Sequence, residues 1–149
     1  MTKAASTGAR TRARELLLQA LYQKQIAGHD SAELLQQFRE QTAYKRVDQE
    51  FFDAALAEIC ATQEELEKSI EPLIDRPLEQ LDPVEMGVML IGVFELQTRP
   101  DVPFRVVINE GVNLAKRFGA LDGHKYINAC LDLAAQTLRS AEVQAQGSG

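Results

Sequence analysis

The segment Asp82-Pro83-Val84-Glu85 opens the stretch that most restricts how this chain can fold. An Asp that can cap, a Pro at the first helical position and a Glu at the third together mark a helix start. The run from Val84 to Leu96 is apolar nearly all round, with Glu85 and Glu95 its only charges. A helix without a polar face has to be surrounded by others, so the chain must supply enough helices to wrap one. Gly87 and Gly92 weaken this helix by roughly 1 kcal/mol each relative to Ala, and read as points where a neighbouring helix comes close.

The neighbours are legible on both sides. Residues from about Ala9 to Ala27 predict a helix closed by Gly28, with Ala13, Leu16, Leu17, Ala20 and Leu21 on one apolar stripe. Leu18, Tyr22 and Ile26 make a second stripe, which suits either core packing or a partner surface. Asp30 or Ser31 can cap a helix to about Tyr44, and Asp48 opens a third with Phe51, Phe52, Ala55, Leu56 and Ile59 inward. Thr62 and Glu65 form a T-x-x-E capping box for a fourth helix, which ends before Pro77. After the Pro100–Pro103 turn, Val107, Ile108, Gly111, Val112, Leu114, Ala115 and Phe118 share one helical face as far as Gly119. A last helix starts at Asp122, whose carboxylate is expected to cap it, and packs Ile127, Cys130, Leu131, Ala134 and Leu138. The expected organisation is a flexible basic arm over residues 1–9, one all-α domain of about seven helices over 10–139, and a disordered tail over 140–149.

Several function classes are excluded at this level. No run of 18 apolar residues exists to span a membrane, and the start lacks the apolar core of a secretory signal, so a cytoplasmic protein is expected. Cys60 and Cys130 lie within helical patterns without metal-type spacing, as buried free thiols of a reducing compartment would. There is no G-x-G-x-x-G, phosphate-binding P-loop or metal motif, and Cys130 is on a different face from His124. No catalytic residue, metal site or cofactor is expected.

The charge is segregated. Lys3, Arg10, Arg12 and Arg14 give residues 1–14 a local +4 without an acid, which leaves −10 on the remainder of a chain whose total is −6. Such a distribution can hold phosphates at one place while an acidic face meets a basic protein at another. A second basic group surrounds the break at Gly119: Lys116, Arg117, Phe118, His124, Lys125 and Tyr126. Cations interleaved with aromatics suit phosphates and unstacked bases. Lys125 at the third position of its helix opposes the helix dipole, which favours a gathering of positive features for an anion. Asp122 lies beside this group as a local negative charge. A solvated charge cluster with a structural Phe118 is the plainer alternative.

The stretch from Asp101-Val102-Pro103 through Ile108-Asn109-Glu110, Leu114-Ala115-Lys116 and Phe118-Gly119 to His124-Lys125-Tyr126-Ile127-Asn128 resembles the longest signature of the NusB family. Ala13-Arg14-Glu15 with Gln19-Ala20-Leu21-Tyr22, and Val84-Glu85 with Phe94-Glu95-Leu96, agree in colinear order over roughly residues 10 to 139. The chain departs from the family at Leu90, where members commonly carry Arg. The resemblance implies an all-α fold of two packed small helical bundles and a transcription antitermination factor. Such a factor binds the boxA element of rRNA leader transcripts with the ribosomal protein NusE and helps RNA polymerase pass terminators. It also implies RNA binding at Arg10, Arg12, Arg14, Lys116, Arg117, Phe118, Asp122, His124, Lys125 and Tyr126, with Tyr22 and Glu85 as candidates for NusE contact. Homodimerisation is left open by it. The alternative function is a non-catalytic helical protein-interaction scaffold without direct RNA binding.

Overall fold

A computed structural model describes the backbone of residues 2–147 and the side chains of residues 8–146; residue 1 and residues 148–149, at the ends of the expected arm and tail, lie outside it. The described residues form eight α-helices and three short 3-10 turns, and divide into two compact units, Met1–Thr62 and Gln63–Gly149.

The first unit holds α1 (Thr2–Ala27), α2 (Ser31–Arg39) and α3 (Gln49–Ala61). Helix α1 thus begins well before Ala9, within the segment expected to be a flexible arm. It ends at Gly28, which takes φ +75 and donates its N–H to the Lys24 carbonyl at 2.8 Å. Ala13, Leu16, Leu17, Ala20 and Leu21 are buried as their spacing predicts. The second stripe splits: Leu18 joins the core, while Tyr22 and Ile26 remain 45% and 63% exposed. The expected helix to Tyr44 stops at Arg39 and gives way to a 3-10 turn over Thr42–Arg46. That turn seats Tyr44 edge-on against Phe52, with ring centroids 5.8 Å apart. The Tyr44 hydroxyl donates to Asp53 at 2.8 Å, which a continued helix would not reach. Asp30 and Asp48 cap α2 and α3 by accepting the N–H groups of Glu33 and Phe51. Thr62 does not act as expected. Its hydroxyl donates back to the Glu58 carbonyl at 2.8 Å, closing α3 rather than opening the next helix.

The second unit holds α4 (Gln63–Ile70), α5 (Pro83–Thr98), α6 (Phe104–Phe118), α7 (Gly123–Leu138) and α8 (Ser140–Gly147). Helix α5 is central, and every residue from Met86 to Leu96 is buried, Leu90 among them. The Asp82–Glu85 capping box forms: the Asp82 carboxylate accepts the Glu85 N–H at 2.8 Å, and Glu85 accepts the Asp82 N–H at 3.3 Å. Gly92 is the close approach its position suggested. A Cβ there would lie 2.7 Å from the Leu131 side chain of α7, and one on Gly111 of α6 would lie 2.6 Å from it. Leu131 therefore fills a notch that two glycines leave open.

The tail is the clearest correction. Residues Ser140–Gly147 are helical, because Arg139 is 9% exposed and anchors the turn before them. Its guanidinium donates to the carbonyls of Leu96, Val102 and Arg99 at 2.8–2.9 Å and to Glu142 at 2.7 Å. Glu142 in turn accepts the Phe104 N–H at 2.9 Å, so α8 caps the start of α6.

Candidate nucleic-acid interface

In the first unit the N-terminal arginines have three different environments. Arg10 is held by Asp48 (Nε to Oδ2 2.9 Å), with its guanidinium 4.4 Å from the Phe51 ring centroid. Asp48 uses its other oxygen to cap α3, so Arg10 is tied to the start of that helix. Arg12 is exposed and donates from Nε to the Arg46 carbonyl at 2.9 Å. Arg14 is only 3% exposed and lies 5.5 Å from the same Phe51 ring. Arg14 thus presents little of its guanidinium to solvent, unlike Arg12. Lys45 and Arg46, exposed on the 3-10 turn beside Arg12, were missed by sequence reasoning. With Arg12 and Gln19, Arg46 lines a cleft of about 110 Å³. The adjacent Lys-Arg pair was the available signal, but only the turn brings it to Arg12.

In the second unit the break between α6 and α7 carries the other group. Lys116 and Arg117 are exposed in the last turn of α6, where cations favour the negative dipole end. Phe118 is half-buried under the Arg117 guanidinium, which lies 5.2 Å from its ring centroid. Gly119 permits the tight exit, since a Cβ there would fall 2.7 Å from the Ala115 carbonyl oxygen. Asp122 takes the left-handed conformation at φ 66, and its side chain makes no capping bond. The expected cap is therefore absent. A left-handed residue turns its carboxylate away from the amides it precedes, and the group instead meets Lys125 Nζ at 3.5 Å, both largely exposed. His124 is half-buried.

Tyr126 is the least free of the group. Its hydroxyl accepts the Asp75 N–H at 3.2 Å and donates to the Asp75 carboxylate at 3.0 Å. The Arg76 guanidinium covers the ring at 4.3 Å from its centroid, and Arg76 Nε reaches Asp75 Oδ1 at 2.9 Å. Arg76, and then the Tyr126 hydroxyl, hold the Asp75 carboxyl below the ordinary range. Burial first pushes the Tyr126 hydroxyl up. Neither Asp75 nor Arg76 carried a sequence signal, because their partner is about fifty positions away.

The two partner candidates also differ. Tyr22 is exposed beside Ile26 one turn on. Glu85 is half-buried in its capping box and lies close to the start of α7, since a Cβ on Gly123 would be 3.8 Å from its Oε2. It therefore borders the basic group rather than standing apart from it. Cys130 is buried and Cys60 half-buried, and desolvation pushes both thiols up, away from nucleophilic character. Among the described residues no cluster of His, Cys, Asp and Glu is placed to hold a metal, and no helix is long and apolar enough to cross a membrane.

Comparison with known proteins adds an independent line. A model described as the NusB family matches residues 11–136. A transcription antitermination protein NusB of Pseudomonas entomophila is 46% identical over 143 residues, covering 96% of this chain and 86% of that one. Its counterpart in Hahella chejuensis is 45% identical over 139 residues, covering 93% of each. Among solved structures, a NusB of T. maritima is similar with a TM-score of 0.78 at 24% identity, covering 86% of this chain and 91% of that one, and bears on the fold.

Proposed function

The chain belongs to the NusB family of transcription antitermination proteins, and on that premise we propose that it acts by binding single-stranded boxA-type leader RNA together with the ribosomal protein NusE. The family role is antitermination without catalysis. The observation that carries the RNA reading is the exposed set Lys116, Arg117 and Lys125 at the junction of α6 and α7, with His124 beside it. Three cations around one helix break, with the Asp122 carboxylate among them, form a local positive field on an acidic chain. On the first unit, Arg12, Lys45 and Arg46 are a separate exposed group of cations. Arg10 contributes less, because Asp48 neutralises it.

NusE, a ribosomal protein and hence of a basic class, suits the acidic remainder of the chain. Tyr22 with Ile26 supplies an exposed aromatic and aliphatic pair of the kind that anchors protein interfaces. Glu85 supplies a carboxylate, although it already serves its own helix. The assembly joins RNA polymerase in the antitermination complex, and the protein works in the cytoplasm.

A fluorescence-anisotropy titration with boxA-type RNA, with and without NusE, tests the reading. Saturable binding by the chain that tightens when NusE is added supports it. Assembly with NusE while no RNA is bound at any salt concentration would favour the interaction scaffold instead.

A further inference from the structure

A nucleobase stacks best on a flat face that is already oriented, because ordering a long side chain on binding costs entropy. Tyr126 is the aromatic that sequence points to, yet its ring is covered by Arg76 at 4.3 Å from the centroid. The cover is itself flat, since a guanidinium is a planar, weakly hydrated plate. It is held in place: Arg76 Nε is fixed to Asp75 Oδ1 at 2.9 Å, and Asp75 is fixed through both its N–H and its carboxylate to the Tyr126 hydroxyl. The Arg76 side chain nonetheless remains 36% exposed.

We propose that Arg76, rather than Tyr126, is the base-stacking plate of this site. A base of single-stranded RNA lies on the outer face of the guanidinium, giving a base–Arg76–Tyr126 layer in which Asp75 is a positioning residue. The charge balance separates this from a phosphate clamp. Asp75, itself tied to the Tyr126 hydroxyl, meets Arg76 at 2.9 Å, whereas Lys125 meets Asp122 only at 3.5 Å with its side chain 73% exposed, and Lys116 lies exposed at the end of α6. Phosphates therefore go to the lysines and the base to the plate. The inference rests on the RNA-binding reading above.

The test is binding of boxA-type RNA by the full chain and by Arg76→Lys, which keeps the charge and removes the plane. A set of the same RNA, each lacking one base, is titrated in parallel. Stacking of one base predicts a loss of roughly five- to a hundredfold on intact RNA. The salt dependence should stay the same, and one abasic RNA should bind both proteins equally. Equal binding of intact RNA by both proteins would overturn the plate while leaving the RNA reading in place. So would a loss of equal size on every abasic RNA, accompanied in Arg76→Ala by a shallower salt slope, since that marks a phosphate contact. No RNA binding by the unaltered chain would remove the RNA reading and this inference with it.

Discussion

Asp122 combines a left-handed backbone, an unused capping group and a solvent-screened contact with Lys125. Asn tolerates φ 66 at least as well as Asp, so Asp122→Asn should change stability by no more than about 0.5 kcal/mol. It also removes the carboxylate that stands among the cations and releases Lys125. RNA binding should tighten a few-fold at low salt and less at high salt. Weaker binding by the folded variant, measured by titration, would contradict the placement of phosphate beside this turn. Single side chains were unevenly legible. Arg14 sits three residues before Leu17 and seven before Leu21, a spacing that fits its burial, whereas its charge and the family resemblance pointed to a surface. The Arg76 cover on Tyr126 was not legible at all, because nothing local encodes a contact made across about fifty residues of chain.

Local signals gave the caps at Asp30, Asp48 and Asp82 correctly, while the equally local ones at Thr62 and Asp122 did not form. Asp30, Asp48 and Asp82 each accept an N–H three residues on, as short polar side chains before apolar runs do. Where a distant partner decides, local reading failed. Helix α8 is an example, since its Gln, Gly and Ser content suggests disorder while Arg139 and Glu142 bind it to α5 and α6. Arg139→Ala removes the donor from the buried Leu96 and Val102 carbonyls and leaves Glu142 without its cation, and should cost about 3 kcal/mol in chemical denaturation. A loss below 1 kcal/mol would mean that water replaces the guanidinium. The Phe104 N–H, and then Arg139, hold the Glu142 carboxyl below its ordinary range. A lowered folded value gives stability that is complete above the ordinary carboxylate range and is lost as pH falls through the folded value. Protection of the amides over residues 140–147, taken relative to their intrinsic exchange rates, should therefore fall on acidification below the ordinary carboxylate range, ahead of that of α5; loss of protection together with α5 would deny the latch. Gly111→Ala should destabilise by about 1–3 kcal/mol, because Leu131 is fully buried and cannot withdraw. Leu131→Val should relieve part of that cost, and strictly additive effects would rule out the notch.

Across the molecule, the all-α class followed from one apolar helix that needed wrapping, and α5 is buried from Met86 to Leu96. The division into two compact units did not follow from hydrophobic pattern, which runs through the Thr62 boundary without a change. Charge segregation was legible as a count but not as a surface. The arginines at the start are partly consumed by Asp48 and Phe51, while Lys45 and Arg46 appear only once the turn forms. Lys116, Arg117 and Lys125 stay exposed on the second unit, and the proposed RNA capture would have them meet phosphates. The most direct measurement is the salt dependence of boxA-type RNA binding by the unaltered chain and by Lys116→Gln. The expected result is affinity that falls log-linearly with salt, with a slope smaller by about 0.7 in the variant, the share of one phosphate contact on a single strand. Binding that does not respond to salt, or an identical slope in the two proteins, would contradict the assignment of this group to the RNA backbone.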